Sequence, residues 1–172
     1  RKMYDNYYFL GIGGIGMSAI ARYFKYLGKE VSGYDRTPSD LTRTLESEGI
    51  AIHYEDCPEL IPGDIEKTFG IYTPAIPRDF CQLRYFWKKG YALCKRSRAL
   101  GEIAKGKDCL AISGTHGKTT TSTLLAHIFT HATDGGCSAF LGGISKNYDT
   151  NCLMSKSRVL VAEADEFDRS FG

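Results

Sequence analysis

No run of residues in this chain is long and apolar enough to cross a membrane, and neither sign of charge predominates. There are 22 lysines and arginines against 20 aspartates and glutamates, a formal net charge of +2. The first absence excludes a spanning helix. The second removes the electrostatic case for nucleic acid or an anionic membrane surface, since the basic residues are scattered rather than clustered. Cysteine pairs at metal or redox spacing are missing too. The six cysteines (57, 81, 94, 109, 137 and 152) are widely spaced, with no Cys-x-x-Cys. Cys94, Cys109 and Cys137 fall in or beside expected core strands, so they read as small buried hydrophobes in a reducing compartment, without a disulfide framework. Arg1-Lys2 ahead of an apolar stretch imitates a signal peptide, but four glycines interrupt Tyr8 to Ala21 and the stretch runs into an amphipathic helix.

Glycine is plentiful, at 19 of 172 residues, enough chain for one domain or two small ones. Its most informative cluster lies in Ile112 to Thr121, ISGTHGKTTT. Cys109 to Ile112 before it reads as a buried strand. Thr121 to Thr133 after it reads as a helix with Leu124, Leu125, Ile128 and Phe129 on its apolar side. A strand, a glycine-bounded turn and Lys-Thr-Thr opening a helix form a phosphate-binding loop. N–H groups at the helix start and the helix dipole favour an anion there. Lys118 adds a full charge, Thr119 offers a hydroxyl to magnesium, and Gly114 and Gly117 let the backbone approach phosphates closely. The loop is shorter than the common pattern, whose first glycine would stand at Ile112. The bland alternative is an ordinary strand-to-helix turn capped by Thr115 or Ser113.

A second glycine loop lies near the start. Asn6 to Leu10 is a short strand, and Gly11-Ile12-Gly13-Gly14-Ile15-Gly16 follows directly. A helix through Met17, Ile20, Ala21, Phe24 and Leu27 ends near Gly28, and Glu30 to Tyr34 is the next strand. This βαβ unit carries the G-x-G-x-x-G spacing at Gly11, Gly13 and Gly16, with Asp35 about twenty positions on. Gly11 allows the tight turn, Gly13 lets a diphosphate approach, and Gly16 lets helix and strand come close. Asp35 offers an acceptor to a ribose hydroxyl or a base N–H. The pattern indicates a Rossmann-like half and a nucleotide diphosphate, without naming the nucleotide.

Between the loops, Ser39 to Glu48 reads as a helix with Ser39 or Asp40 at its N-cap, Ile50 to His53 and Thr68 to Tyr72 as strands, and Asp56 to Gly63 as a proline-bearing loop. Thr73-Pro74-Ala75-Ile76-Pro77 sits at a strand's C-terminal end, as a ligand-binding turn or a stiff connector. Asp79 to Lys89 and Ser97 to Lys105 read as helices and Tyr91 to Cys94 as a strand. The domain boundary is placed near Gly106. Cys137 to Leu141 reads as a strand ending at Gly142-Gly143, and Tyr148 to Lys156 as a polar loop. Arg158 to Ala162 is a strand running into Glu163-Ala164-Asp165-Glu166-Phe167-Asp168, whose four carboxylates suit a divalent cation. Glu163 is the expected metal carboxylate, with Asp165 and Glu166 beside the ion or the substrate; a solvated acidic turn is the alternative. His127 and His131 have zinc-pair spacing but no accompanying ligands. His116 lies inside the phosphate loop, where substrate is in reach. Trp87 is expected to serve packing.

Taken together, Gly11 to Ser18, Gly114 to Thr121 and Glu163 to Glu166 resemble the Mur ligases of bacterial peptidoglycan synthesis, over essentially the whole chain. The short phosphate loop is that family's own form. The resemblance implies an α/β fold: a Rossmann-like domain with a parallel sheet at 1–106, then the start of a P-loop ATP-binding domain at 107–172. It implies a cytoplasmic bacterial enzyme that uses ATP and Mg2+ to phosphorylate the carboxylate of UDP-N-acetylmuramic acid, after which the amino group of L-alanine attacks the acyl phosphate. By position, Gly114, Thr115, His116, Gly117, Lys118, Thr119 and Thr120 would cradle ATP, and Thr119 and Glu163 would hold the ion. Lys118, His116 and Glu163 would be the catalytic residues. Gly11, Gly13, Gly14, Ile15, Gly16, Met17, Ser18, Asp35, Thr73, Pro74 and Ala75 would line the UDP-sugar site. The family often has Gly-His where Glu55-Asp56 align. The resemblance also implies that residues choosing the amino acid follow Gly172, so this chain is expected to bind the UDP-sugar and lack ligase activity alone. Competing expectations are a murein-peptide recycling ligase, a nicotinamide-dependent oxidoreductase resting on Gly11 to Asp35, and a non-catalytic nucleotide-sugar-binding module.

Overall fold

The computed structural model describes residues 4–104 and, beyond them, four strand segments at 108–112, 138–145, 150–153 and 159–163. The chain divides into two compact units, Arg1–Arg96 and Ser97–Gly172. In the first, short apolar segments become β1 (Asn6–Leu10), β2 (Glu30–Tyr34), β3 (Ala51–His53), β4 (Thr68–Tyr72) and β5 (Ala92–Lys95). They form one parallel sheet in the order β3-β2-β1-β4-β5. Parallel neighbours need crossovers, supplied by α1 (Ile15–Tyr26), α2 (Asp40–Ser47) and α3 (Cys81–Lys89). The β3-to-β4 connection has no α-helix; it carries two short 3-10 turns, Pro58–Leu60 and Ile65–Lys67. Strand order therefore reverses between β1 and β4, the switch point at which open α/β sheets bind ligands.

Alternation along β1 assigns its side chains to two layers. Tyr7 stacks on Phe24 of α1, centroids 3.9 Å apart and planes 13° from parallel. On the other face, Tyr8 and Leu10 join Ile61, Leu83, Phe86 and Tyr91 in one buried cluster. α1 ends at Leu27 before Gly28, whose φ of +83° is a left-handed value that glycine adopts without strain. α2 starts at a capping box: Ser39 Oγ accepts from the Thr42 N–H, and Thr42 Oγ1 accepts from the Ser39 N–H. α3 begins at Cys81, two residues after the expected Asp79, because Phe80 is extended and the cap comes from elsewhere. Asp56, on the β3-to-β4 crossover, accepts from the N–H groups of Cys81 (2.9 Å) and Gln82 (3.0 Å). Trp87, expected to pack, is 51% exposed, since Gln82, Leu83 and Phe86 form the buried stripe of α3.

A buried polar pair lies under this crossover. Tyr8 donates its hydroxyl to Gln82 Oε1 at 2.5 Å, and Gln82 Nε2 donates to the Glu55 carbonyl. Burial, then the negative Asp56, pushes the Tyr8 hydroxyl far above its ordinary pKa, and burial pushes Tyr91 up to about 12. Both stay neutral in the folded chain at pH values where the unfolded chain ionises. Stability is therefore full below about pH 10, the ordinary tyrosine value, and falls as pH rises through about 12. Tyr8→Phe should shallow this alkaline decline while lowering stability at pH 7 by about 1–3 kcal/mol, because Gln82 loses a partner in the core. Urea melts of both proteins at pH 7, 10 and 11.5 measure both effects; identical pH slopes would refute the assignment.

In the second unit, α4 (Arg96–Ala104) precedes β6 (Asp108–Ile112), and β7 (Ser138–Ser145), β8 (Thr150–Leu153) and β9 (Val159–Glu163) complete a sheet in the order β6-β9-β7-β8. β9 runs parallel to β6 and β7, and β8 runs antiparallel to β7. Two expectations are corrected here. β7 continues through Gly142-Gly143 to Ser145 instead of stopping at Leu141, and the stretch expected as a loop from Tyr148 to Lys156 contains β8. The β7–β8 register shifts between Phe140 and Ser145, an irregularity of the kind glycines accommodate. β8 is an edge strand, where polar Thr150 and Asn151 suffice without apolar alternation. The helix expected at 121–133 lies outside the described residues.

Candidate functional site

At the carboxyl end of β1 the chain turns sharply at Gly11, whose φ is +90°. The N–H groups of Gly11 and Ile12 both donate to the Tyr34 carbonyl of β2, at 2.8 and 2.9 Å, and the Thr73 N–H donates to the Leu10 carbonyl at 3.3 Å. Three strand ends are thus tied together around one loop. A Cβ on Gly11 would stand 2.5 Å from Thr73 Cγ2, so a side chain there would have to displace Thr73 as well as hold a left-handed backbone. The Thr73 turn is self-contained: its hydroxyl accepts from the Ala75 N–H (2.9 Å), and its carbonyl accepts from Ile76. Pro74 and Ala75 at its tip are exposed.

α1 starts from this loop with Gly14 as its N-cap. No side chain caps it and its first turn has no acidic residue. Within the helix itself, then, no carboxylate offsets the positive end of its dipole. Ser18, fully buried, donates its hydroxyl to the Ile15 carbonyl at 2.8 Å and its N–H to the Gly14 carbonyl.

Asp35 closes the other side. Its N–H donates to the His53 carbonyl of β3 at 3.0 Å. Its Oδ2 accepts from the Gly13 N–H at 2.7 Å, and its Oδ1 from the Thr37 N–H at 3.2 Å. A Cβ at Gly13 would lie 2.7 Å from Asp35 Oδ2 and 2.9 Å from Thr42 Cγ2. The sequence reading gave Gly13 to an approaching diphosphate; within the fold the same glycine is demanded by Asp35 and Thr42. Nearby, Tyr54 donates its hydroxyl to Glu46 Oε1 at 2.5 Å, and partial burial followed by that bond raises its pKa. Gly11, Gly13, Gly14, Asp35 and Thr73 are accordingly brought to one edge of the sheet. Thr42 and Asp56 are contributions that sequence reasoning missed. Ser39-x-x-Thr42 was the one local signal for the first, and the second has none.

In the second unit, Ile112 ends β6 and Glu163 ends β9, and the two are register partners on neighbouring parallel strands. The entry to the 113–120 stretch and Glu163 therefore share one end of that sheet. Gly114 to Thr120, His127, His131, Asp165, Glu166 and Asp168 lie outside the described residues. Among the described residues no group of three or more His, Cys, Asp or Glu could hold a metal ion, and no helix is long and apolar enough to cross a membrane.

Comparison with known proteins accords with this geometry. A model of the Mur ligase family, catalytic domain, matches residues 6–108. A Flavobacterium psychrophilum protein named UDP-N-acetylmuramate–L-alanine ligase is 55% identical over 168 residues, 96% of this chain and 37% of the relative. A protein of the same name from Phocaeicola vulgatus is 55% identical over 168 residues, 95% of this chain and 36% of the relative. The crystal structure of UDP-N-acetylmuramate-alanine ligase MurC from Thermotoga maritima superposes with a TM-score of 0.80 at 28% identity, covering 92% of this chain and 37% of that one. The chain thus spans a little over a third of the length of the relatives it matches. With its α/β architecture, its glycine loop at the switch point and a family match over most of its length, the chain belongs to the Mur ligase family.

Proposed function

We propose that this chain is the UDP-sugar-binding portion (1–106) and the opening of the ATP-binding portion (107–172) of a cytoplasmic bacterial ligase. That ligase joins L-alanine to UDP-N-acetylmuramic acid at the expense of ATP. The observation that carries this reading is 55% identity, over nearly the whole chain, with relatives named for that reaction. The first unit has the matching anatomy. The diphosphate of the UDP-sugar lies against the start of α1 at Gly14, Ile15 and Gly16, where the helix dipole favours negative charge, while buried Met17 and Ser18 support that turn from beneath. Gly11, Gly13 and Asp35 shape the adjoining wall, and Thr73, Pro74 and Ala75 border the cleft from β4.

Gly114 to Thr120 supply the N–H cradle for the ATP phosphates. Thr119 and Glu163 are hard oxygen donors suited to Mg2+, and the Ile112–Glu163 register, with Glu163 at the sheet end from which the 113–120 stretch leaves, supports pairing them. When bound, the ion screens the phosphate charge. Lys118 offsets charge that develops as the γ-phosphoryl passes to the muramoyl carboxylate and ADP departs. His116, with Asp165 or Glu166, stands near that carboxylate. The alanine amine then forms the amide bond as phosphate leaves.

Phosphate release by the full-length protein, with UDP-N-acetylmuramate and each amino acid in turn, tests the reading. L-Alanine should give the highest kcat/KM. A preference for murein tripeptide would move the protein to peptide recycling. NADH binding without UDP-N-acetylmuramate binding would overturn the ligase reading, and an absence of ATP turnover would leave a binding module.

A further inference from the structure

We propose that Asp35 is a positioning residue: its carboxylate clasps the Gly13 N–H and fixes the glycine loop, and it does not act as the acceptor for the nucleotide's ribose or base. This rests on the reading that the cleft takes a uridine diphosphate. Three observations carry it. First, both carboxylate oxygens already accept backbone N–H groups, Gly13 at 2.7 Å and Thr37 at 3.2 Å, the latter forming an Asx turn. The shorter bond is charge-assisted, the strong kind for a carboxylate. Second, Asp35 is itself anchored, because its N–H donates to the His53 carbonyl at 3.0 Å. The clasp thus joins the loop after β1 to the end of β3 through β2. Third, the space a side chain at position 13 would fill is already occupied. Asp35 Oδ2 lies 2.7 Å, and the methyl of fully buried Thr42 lies 2.9 Å, from where a Cβ would stand. Thr42 cannot retreat, since its hydroxyl is engaged in the α2 capping box.

The consequence for the ligand is directional. A carboxylate against Gly13 disfavours an anion there and turns that N–H away from it. At Gly14, a Cβ would meet only ordinary contacts, 3.6 Å to the Gly11 carbonyl oxygen. The diphosphate is thereby steered past Gly13 to Gly14 and the first turn of α1. Asp35 sets affinity by holding that turn in place, so its loss weakens every ligand sharing the diphosphate, whatever its sugar hydroxyls or base.

The test compares wild type, Asp35→Asn and Asp35→Ala in the full-length protein. Without ligand, hydrogen exchange across 11–17 should quicken at least tenfold in Asp35→Ala. It should stay near wild type in Asp35→Asn, whose amide oxygen still accepts from Gly13. Calorimetric titration with UDP, 2′-deoxy-UDP, 3′-deoxy-UDP and CDP should then show all four weakened by the same factor, tenfold or more, in Asp35→Ala, and by threefold or less in Asp35→Asn. Unchanged exchange in Asp35→Ala overturns the clasp. So does a penalty that disappears for one deoxy ligand or for CDP, which would identify a direct contact. Asp35→Ser, too short to reach Gly13, replaces the alanine variant should that one not fold. If wild type binds none of the four, the uridine diphosphate reading fails, and the ligand-free exchange still decides the clasp.

Discussion

Replacing Gly33 with alanine should destabilise the first unit by about 3 kcal/mol, toward the upper end of overpacking penalties, and should weaken UDP-sugar binding with it. Gly33 sits in β2 directly beside Phe9 of β1. A Cβ there would lie 2.6 Å from the Phe9 carbonyl oxygen, 2.9 Å from Ile12 Cδ1 and 3.1 Å from Ile12 Cβ. The first neighbour is backbone inside a five-stranded ladder and cannot swing away. The second belongs to a side chain with no exposed surface. Relief must come from parting β1 and β2 or from displacing Ile12. Ile12 lies between Gly11 and Gly13, and its N–H donates to the Tyr34 carbonyl. Either adjustment therefore moves the glycine loop. Gly63→Ala is the control, since nothing lies within 4 Å of its would-be Cβ, and it should change stability by no more than about 0.5 kcal/mol. Urea denaturation with UDP-N-acetylmuramate titration measures both consequences. Equal stability of the two variants would contradict the close strand approach.

The elements read correctly from sequence are those whose signal is local. β1, its glycine loop, α1 and β2 follow from a short apolar run, a change of period and a closing Gly28, and the limits of β1, β2 and β4 coincide with expectation. Ser39 or Asp40 was legible at the α2 cap from residue type alone, and the fold selects Ser39. What escaped depended on distant partners. Asp56 caps α3 from 25 residues upstream, and nothing in Glu55-Asp56-Cys57 announces it. This chain uses the Asp56 carboxylate to hold the start of α3 against the crossover. β8 escaped because an edge strand needs one partner and no apolar face. Gly13 was recognised as necessary for an approaching diphosphate, and the fold supplies a further cause. A sequence pattern shows that a side chain is excluded at a position without showing what excludes it, and here the excluding groups are Asp35 and Thr42.

Lys118→Ala in the full-length protein should lower ADP and phosphate formation by a factor on the order of 10² to 10³, the usual loss when one preorganised stabiliser of developing charge is removed. Phosphoryl transfer spreads negative charge over the equatorial oxygens, and the protein's contribution is mostly placement and opposing charge. Within 112–121 Lys118 is the one full cation, flanked by glycine at 117 and hydroxyls at 119 to 121. Lys118→Arg should recover little, because a planar fork does not reproduce a compact ammonium among phosphate oxygens. Affinity for UDP-N-acetylmuramate should stay within about twofold, since the residues proposed to bind its diphosphate follow the carboxyl ends of β1 and β4 in the first sheet. Glu163→Gln gives the complementary result. Its loss should be partly recovered by raising Mg2+, whereas the Lys118→Ala loss should not respond to the ion. Full turnover in Lys118→Ala would refute the phosphate-loop assignment, and a parallel loss of UDP-sugar affinity would mean that the two binding functions are not divided between the two sheets.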